Sequence, residues 1–395
     1  MVRVIVTKYR NQILLAVRDE EDFQSLYLCE KGSVIGKIYL GRVEKQVKNI
    51  GSSFVRLSKE EYGFLDGEEK AGAILPVQIV REGKGEKKHS VSRKLSLPGR
   101  YCVVLYGNKP EGKLLFSGKL TEEARAALKE SFDRLSEGDK LCYDVLLRTN
   151  AAEVEFSEVY KEYQKLSDKM DSILKNKDTR TEYSLLYEPP GDLLRELSRI
   201  ELSSISEIIT DLPEEYEGIK REYYEELPEK IRDGIRLTLY QDPLLSLFHL
   251  VSLEAALKRA VDKRVWLKSG GCLVIEQTEA LVAIDVNSAK LNKKQDKEEA
   301  ALLINLEAAR EAARQLRLRN LSGIIIIDFI NMKREENRKR LIEELKEAVN
   351  RDSIRTSFED MTKLGLVELT RKREGRTLRE MLKDNLNTDG GEFIV

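Results

Sequence analysis

The chain has 395 residues, of which 35% are charged and 41% hydrophobic, with 68 Lys and Arg against 69 Asp and Glu for a net charge of -1. At roughly 150 residues per domain this length predicts two to four units with cores of their own, and the composition excludes disorder throughout. With His89 and His249 as the two histidines, catalysis built on histidine pairs is set aside, and carboxylates acting with a metal become the leading chemistry. Balanced charge means that any nucleic-acid contact must come from local patches. No run approaches 18 apolar residues and charges interrupt the opening MVRVIVTKYRNQILLAV, so we expect no membrane span, no signal peptide and a cytoplasmic protein. Cys29, Cys102, Cys142 and Cys272 stand apart with no C-x-x-C spacing, which predicts buried thiols rather than a zinc ribbon or disulfides.

In chain order, VRVIV, QILLAV and the stretch Ser25 to Cys29 predict three short strands at a sheet edge. From Gly36 to about Lys94, glycine punctuates five strand-like runs, the pattern of a small Greek-key barrel of the OB type. RYCVVLY, KLLFSGKL and LCYDVLLRT predict further strands around a helix over 121–135 capped at Thr121, and a charged amphipathic helix follows over about 153–177 until Glu188-Pro-Pro-Gly-Asp192 breaks the pattern. The acid-rich run from Asp211 to Lys230 is expected to be a solvated helix face. From Gly270 the order becomes strand, strand, helix over 297–318, strand, helix over 334–350 and two strands, which predicts a buried, partly parallel α/β sheet, with a polar tail from Arg371.

Two aspartates stand out: Asp285 in AIDVNS and Asp328 in IIIIDFIN, each closing an apolar strand. A helical crossover sets such strands side by side, and ligands bind off their carboxyl ends. Two carboxylates in one crevice suit a hard divalent cation, with Mg²⁺ the natural candidate, and Asn287 shares the face of Asp285. Strand-end aspartates also cap following turns, and spacing alone does not choose between these readings. Between the aspartates, Arg310, Arg314 and Arg317 recur at helical spacing, either as a stripe along a phosphate backbone or as a solvated face paired with Glu307 and Glu311.

The ordered segments AIDVNS, NLEAAREAARQLRLRNLSG and IIIIDFINM resemble the catalytic domain of the bacterial ribonuclease E/G family. The similarity extends upstream through LTLYQDPLLSLFHLVSLEAALKRAVDKRVWLKSGG and, more weakly, to the N-terminus. The resemblance implies a multidomain α+β and α/β protein. An RNase H-like scaffold would occupy 1–35 and 188–268, an OB-type barrel 36–95, a 5′-sensor subdomain 96–187 and a deoxyribonuclease I-like catalytic subdomain 269–385, with a tail at 386–395. It implies Mg²⁺ held by Asp285 and Asp328 with support from Asn287. It implies RNA contacts from Phe54, Phe64 and Lys87, and a 5′-phosphate pocket of Gly99, Val103, Arg148, Thr149 and Arg355. Residues 81–100, with Arg81, Lys84, Lys87, Lys88, Arg93, Lys94 and Arg100 against Glu82 and Glu86, supply a local basic patch.

The activity implied is Mg²⁺-dependent endonucleolytic cleavage of single-stranded RNA to 5′-phosphate and 3′-hydroxyl products, in rRNA processing or mRNA decay. Other readings are a non-catalytic RNA-binding protein acting through the barrel and a phosphotransfer enzyme, against which stands the absence of a P-loop. Three departures from the family pattern appear. No C-P-x-C motif follows Cys272, so no zinc and a monomer or homodimer are expected; Asn331 stands where many relatives carry aspartate; and no pocket arginine aligns near Phe116 and Ser117.

Overall fold

The computed structural model describes residues 1–30, 32–47, 49, 51–83, 88–107, 112–135, 141–288 and 297–389, the last six as backbone. The chain begins with strands β1 (Val2–Tyr9), β2 (Gln12–Arg18) and β3 (Phe23–Cys29). Then come β4 (Ile38–Val47), β5 (Ser52–Arg56), β6 (Tyr62–Asp66), β7 (Ile74–Arg81) and β8 (His89–Ser92). Next are β9 (Leu95–Pro98), β10 (Cys102–Tyr106), β11 (Leu114–Phe116), helix α1 (Glu122–Leu135), β12 (Asp144–Leu147), α2 (Phe156–Asn176), β13 (Leu185–Tyr187) and α3 (Asp192–Leu197). These are followed by β14 (Ile205–Thr210), α4 (Pro213–Ile219), α5 (Glu229–Arg232), β15 (Arg236–Leu239), α6 (Leu247–Leu250) and α7 (Leu253–Val261). The last stretch holds β16 (Arg264–Trp266), β17 (Cys272–Gln277), β18 (Leu281–Asn287), α8 (Lys297–Arg319), β19 (Gly323–Asp328), α9 (Glu335–Asn350), β20 (Thr356–Met361), β21 (Leu366–Arg371) and α10 (Leu378–Asp389). Two units result: Glu30–Ser204 with Glu226–Arg232, and Met1–Cys29 with Ile205–Glu225 and Asp233–Val395.

In the first of these units, β4, β5, β6, β8 and β7 neighbour one another in that order, and β4 pairs with β7 to close the ring. A closed five-strand ring in which β6 and β8 run parallel is consistent with the OB-type barrel expected. Its interior is filled by Val43, Val55, Leu65, Val77, Ile79 and Val91. Gly63 has to lack a side chain there, because a Cβ would lie 2.6 Å from the Val91 side chain. A separate sheet, β11-β12-β10-β9, packs Leu95, Leu97 and Val104 against Met170 and Ile173 of α2. Thr121 caps α1 as predicted, its hydroxyl accepting the Ala124 N–H at 3.2 Å.

The other unit holds two sheets. In β15-β14-β1-β2-β3 the apolar centre of β1 is fully buried, and Ile5, Leu14 and Leu28 belong to the core that includes Leu253 and Leu257 of α7 and Leu378 of α10. In β16-β17-β18-β19-β21-β20 the β18–β19 pair is parallel and the other pairings are antiparallel. One face of this sheet, with Ile275, Ile284, Val286, Ile325, Ile327 and Leu369, packs against α8 and α9. The expectation of strands buried on both faces is corrected here: Ile324 is 52% exposed, and Asp285 and Asp328 are exposed on the same side. The long isoleucine run of β19 hides the alternation that a mixed sheet covered on one face imposes.

Two smaller outcomes complete the fold. The acid-rich run forms α4 and a wider helical turn over Lys220–Tyr224, and buried Ile219 and Tyr223 anchor its inner side. Cys29, Cys102 and Cys272 are buried as expected, whereas Cys142 is exposed, because it sits in the bend that leads into β12. No helix among the described residues is long and apolar enough to cross a membrane.

Within the two-sheet unit Arg371 and Asp352 form a buried ion pair at 2.7 Å, their side chains 2% and 4% exposed. Arg371 also donates to Asn320 Oδ1 at 2.8 Å and to the Leu321 carbonyl at 2.9 Å, while Asp352 accepts the Ile354 N–H at 2.9 Å. Each partner therefore has its remaining polar atoms met, which is the condition under which a buried pair persists. Arg371→Met leaves the Asp352 carboxylate buried without its cation and is expected to cost about 3–5 kcal/mol in urea unfolding. An unchanged unfolding midpoint would contradict this.

Candidate active site and anion-binding residues

β18 and β19 pair with Asp285 directly opposite Asp328, so two carboxylates rise from neighbouring strands about 4.8 Å apart on one exposed face. Each is flanked by buried neighbours, Ile284 and Val286 for one and Ile327 and Phe329 for the other, which fixes the side to which the aspartates belong. Asn287, two residues along and also exposed, donates from Nδ2 to Asp285 Oδ2 at 2.6 Å. Among the described residues neither carboxylate accepts a backbone N–H, which is the bond that defines a turn-capping aspartate. Strand β18 runs past Asp285 to Asn287, so Asp285 lies within the strand instead of closing it.

This donor set is tested by its chemistry. Two carboxylates and an amide offer only hard oxygen ligands, in an exposed place where water can complete the shell. Mg²⁺ takes one or two carboxylates and keeps several waters, so the residues fit it. Among the described residues, no group of three or more His, Cys, Asp or Glu comes together.

The arginine stripe of α8 keeps one feature of the ion-paired face, the Arg314–Glu311 pair, and is otherwise used differently from either reading. Arg314 chelates Glu311 at 2.6 and 2.8 Å and donates to the Phe23 carbonyl at 2.6 Å, and Arg317 donates to the Ala348 carbonyl at 3.2 Å and to Gln24 at 3.1 Å. Arg310 pairs with Glu344 of α9 at 3.1 Å. Burial holds the Arg317 guanidinium below its usual pKa. Arg314 and Arg317 form a largely buried seam joining α8 to β3 and α9, while Arg310 stays exposed beside α9. Glu307 accepts the N–H groups of Lys268 and Ser269 at 2.6 and 3.0 Å and takes no part in it.

On the barrel, Phe54 and Phe64 are cross-strand partners with ring centroids 5.8 Å apart, edge to face, and both are half-buried. Their neighbours Val55 and Leu65 point inward, so the rings stand on the outer surface. The same surface carries Tyr62, with Arg56 at 5.6 Å and Lys88 at 5.3 Å from its ring centroid. Sequence reasoning passed over Tyr62 and Arg56. Their signal was the alternation itself, Phe54-x-Arg56 facing Tyr62-x-Phe64 across one hairpin. Lys87 lies outside the described residues. The basic patch of 81–100 is partly neutralised, since Arg93 pairs with Glu69, while Arg100 is held by the Glu226 carbonyl at 3.2 Å and keeps its charge.

Gly99 sits in the turn between β9 and β10, Val103 lies in β10, and Arg148 follows β12, whose Leu146 pairs with Val103. Arg148 donates from its backbone N–H to the Tyr101 carbonyl at 2.8 Å and from Nη1 to the Gly99 carbonyl at 2.7 Å. Among the described residues it has no carboxylate within ion-pair distance, and Nε and Nη2 have no hydrogen-bond partner. Burial, and after it the charge of Arg199, hold its pKa below the usual arginine value. Thr149 opens a short 3₁₀ turn next to it. Arg355 belongs to the other unit, exposed on a loop that Asp352 pins through Ile354, its carbonyl accepting the Lys372 N–H at 2.9 Å. Near Phe116 and Ser117 the sequence comparison found no pocket arginine; Arg125 of α1 reaches that place and spends Nη2 on the Ser117 and Gly118 carbonyls.

Comparison of the sequence with known proteins points to one class. The model of the ribonuclease E/G family covers residues 96–374, more than half of the chain. Ribonuclease G of Haemophilus influenzae is 31% identical across 92% of this chain and 78% of its own length, and ribonuclease G of Escherichia coli is 30% identical across 92% and 77%. Ribonuclease E of Synechocystis sp. is 29% identical across 99% of this chain, which spans 60% of that relative's length. The chain belongs to the ribonuclease E/G family.

Proposed function

We propose that the protein is an endoribonuclease that cleaves single-stranded RNA by metal-assisted hydrolysis at Asp285 and Asp328. The observation that carries this reading is the pair of exposed, in-register carboxylates with Asn287 bonded to one of them and no backbone N–H taken up by either. Asp285 and Asp328 would hold Mg²⁺, which when bound would supply Lewis acidity toward the scissile phosphate and a more acidic water. Asn287 fixes the rotamer of Asp285 through its 2.6 Å bond and so limits the reorganisation needed when substrate arrives. Hydrolysis that breaks the P–O3′ bond leaves the phosphate on the 5′ oxygen of one product and a protonated 3′ oxygen on the other. We assign the two-sheet unit to the RNase H-like and deoxyribonuclease I-like parts of the fold, and the sheet of β9 to β12 to the 5′ sensor.

Asp285→Asn and Asp328→Asn each remove a carboxylate needed only as charge builds at phosphorus. Cleavage of a labelled single-stranded RNA is therefore expected to be abolished while thermal unfolding and RNA binding stay near those of the parent. Activity in EDTA, or in either variant, contradicts the mechanism. Binding without cleavage by the unaltered protein with Mg²⁺ supports a non-catalytic RNA-binding protein instead.

The barrel is assigned to strand binding. Outward Phe54 and Phe64 offer faces on which any base can stack, the sequence-tolerant mode suited to single strands. Phe54→Ala and Phe64→Ala are each expected to weaken single-stranded RNA binding by about 1–3 kcal/mol in fluorescence anisotropy. Loss of the barrel's fold in these variants would make the rings structural.

Arg148 and Thr149, with Gly99 and Val103, are assigned to the 5′-terminal phosphate. A half-buried guanidinium with spare donors and no acidic partner is suited to bidentate binding of a phosphate. Hydrogen bonds to charged groups are worth roughly 1.5–3 kcal/mol, so Arg148→Ala should slow cleavage of 5′-monophosphorylated RNA by about 10- to 150-fold and leave 5′-hydroxylated RNA nearly unaffected. Equal slowing of both substrates would make Arg148 a structural residue.

A further inference from the structure

Glu162 of α2 was not singled out by any sequence pattern, yet it makes three hydrogen bonds to consecutive backbone groups. Its carboxylate accepts the N–H of Arg100 at 2.8 Å, of Tyr101 at 2.7 Å and of Cys102 at 3.0 Å. Successive N–H groups converging on one point form a concavity for an anion, and here a side chain of the same chain occupies it. The fit requires Gly99: a Cβ at that position would stand 2.5 Å from the Glu162 carboxylate carbon and from one of its oxygens. The turn is closed as well by the Gly99 N–H donating to the Cys102 carbonyl at 2.8 Å. Both backbone carbonyls that hold Arg148, those of Gly99 and Tyr101, belong to this turn. Glu162 makes no hydrogen bond to Arg148 and attracts its guanidinium only at a distance; its direct bonds are to the turn that aims it.

We infer that Glu162 is a positioning residue that sets the anion-binding geometry of Arg148 by fixing the Gly99–Cys102 turn. The argument rests on the reading of Arg148 as a ligand for a terminal phosphate monoester. Without the carboxylate, three converging N–H groups in a half-buried turn lose their acceptor, the turn relaxes toward water, and the Gly99 carbonyl no longer fixes the guanidinium. The alternative is that Glu162 fills a site the phosphate would otherwise take. That would produce the opposite response, since its removal would then strengthen phosphate binding.

The test measures binding in the Asp328→Asn background, so that cleavage does not intervene. Fluorescence anisotropy gives Kd for a short 3′-labelled single-stranded RNA carrying either a 5′-monophosphate or a 5′-hydroxyl, and the readout is the ratio of the two. A general loss of structure weakens both and leaves the ratio unchanged. Glu162→Ala and Glu162→Gln are expected to lower the preference for the phosphorylated end about tenfold, equivalent to one hydrogen bond to a charged group, with Glu162→Asp retaining part of it. If the alanine variant does not fold, the glutamine variant, which keeps the shape and one acceptor oxygen, carries the test. Gly99→Ala, which drives the carboxylate out, should lower the ratio in the parent and add nothing to Glu162→Ala. A preference retained or increased in the folded Glu162 variants overturns this inference alone, whereas a parent ratio near one overturns the phosphate-pocket reading and the inference with it.

Discussion

Helix α8 is the constraint on which the placement of the aspartate pair depends. Its 23 residues span about 35 Å and connect β18 to β19, and a crossover of this kind is what permits two consecutive strands to lie parallel. Five residue pairs, from Leu281 with Ile324 to Asp285 with Asp328, fix the register, and a slip of one position would move one aspartate to the buried face. Register is secured by packing: Ala301, Ala308, Ala309, Ala312 and Ala313 lie in the core shared with the sheet, where small side chains let the helix approach closely. The opposite flank holds Arg314 and Arg317, whose bonds to Phe23, Gln24 and Ala348 stop the helix from rolling over the strands it joins.

That double use of α8 explains what sequence could and could not reveal. The aspartate pair was legible because two apolar strands, an intervening helix and polar residues at matching offsets specify a juxtaposition through topology alone. The barrel was legible because glycine spacing and strand alternation are local signals. The arginine stripe was misleading because helical periodicity says that three residues share a face and nothing about what the face meets. Here it meets carbonyls of β3 and α9, and Phe23 of β3 is 291 positions from Arg314 in the chain. Glu162 was invisible for the same reason, being 60 to 62 positions from the N–H groups it binds.

Arginine makes the contrast useful, because the same side chain serves both purposes. Arg371 shares its guanidinium among a carboxylate, an amide and a carbonyl, and Arg319 distributes three bonds over Gln315, Asp262 and Arg259. Such saturation is required where the group is buried, since each unmet N–H would cost desolvation energy with nothing returned. Arg148 departs from it: half-buried, anchored by one side-chain bond and by its own backbone N–H, it leaves donors without protein partners among the described residues. An arginine held this way is oriented without being neutralised.

Orientation of that kind has to come from groups that carry no negative charge of their own. Carbonyls meet the requirement. A carboxylate placed directly on Arg148 would hold it equally well but would compete with any anion for the same N–H groups and cancel the field that attracts it. In the inferred arrangement Glu162 bonds backbone N–H groups and not the guanidinium, so its support reaches Arg148 through the turn to the Gly99 carbonyl, with a charge attraction acting only at a distance. The aspartate pair of the two-sheet unit is supported in a comparable way, since Asn287 steadies Asp285 with an uncharged amide. In both places the group that bonds the charged side chain is itself uncharged, so the charge of Arg148 and of Asp285 is held without being cancelled.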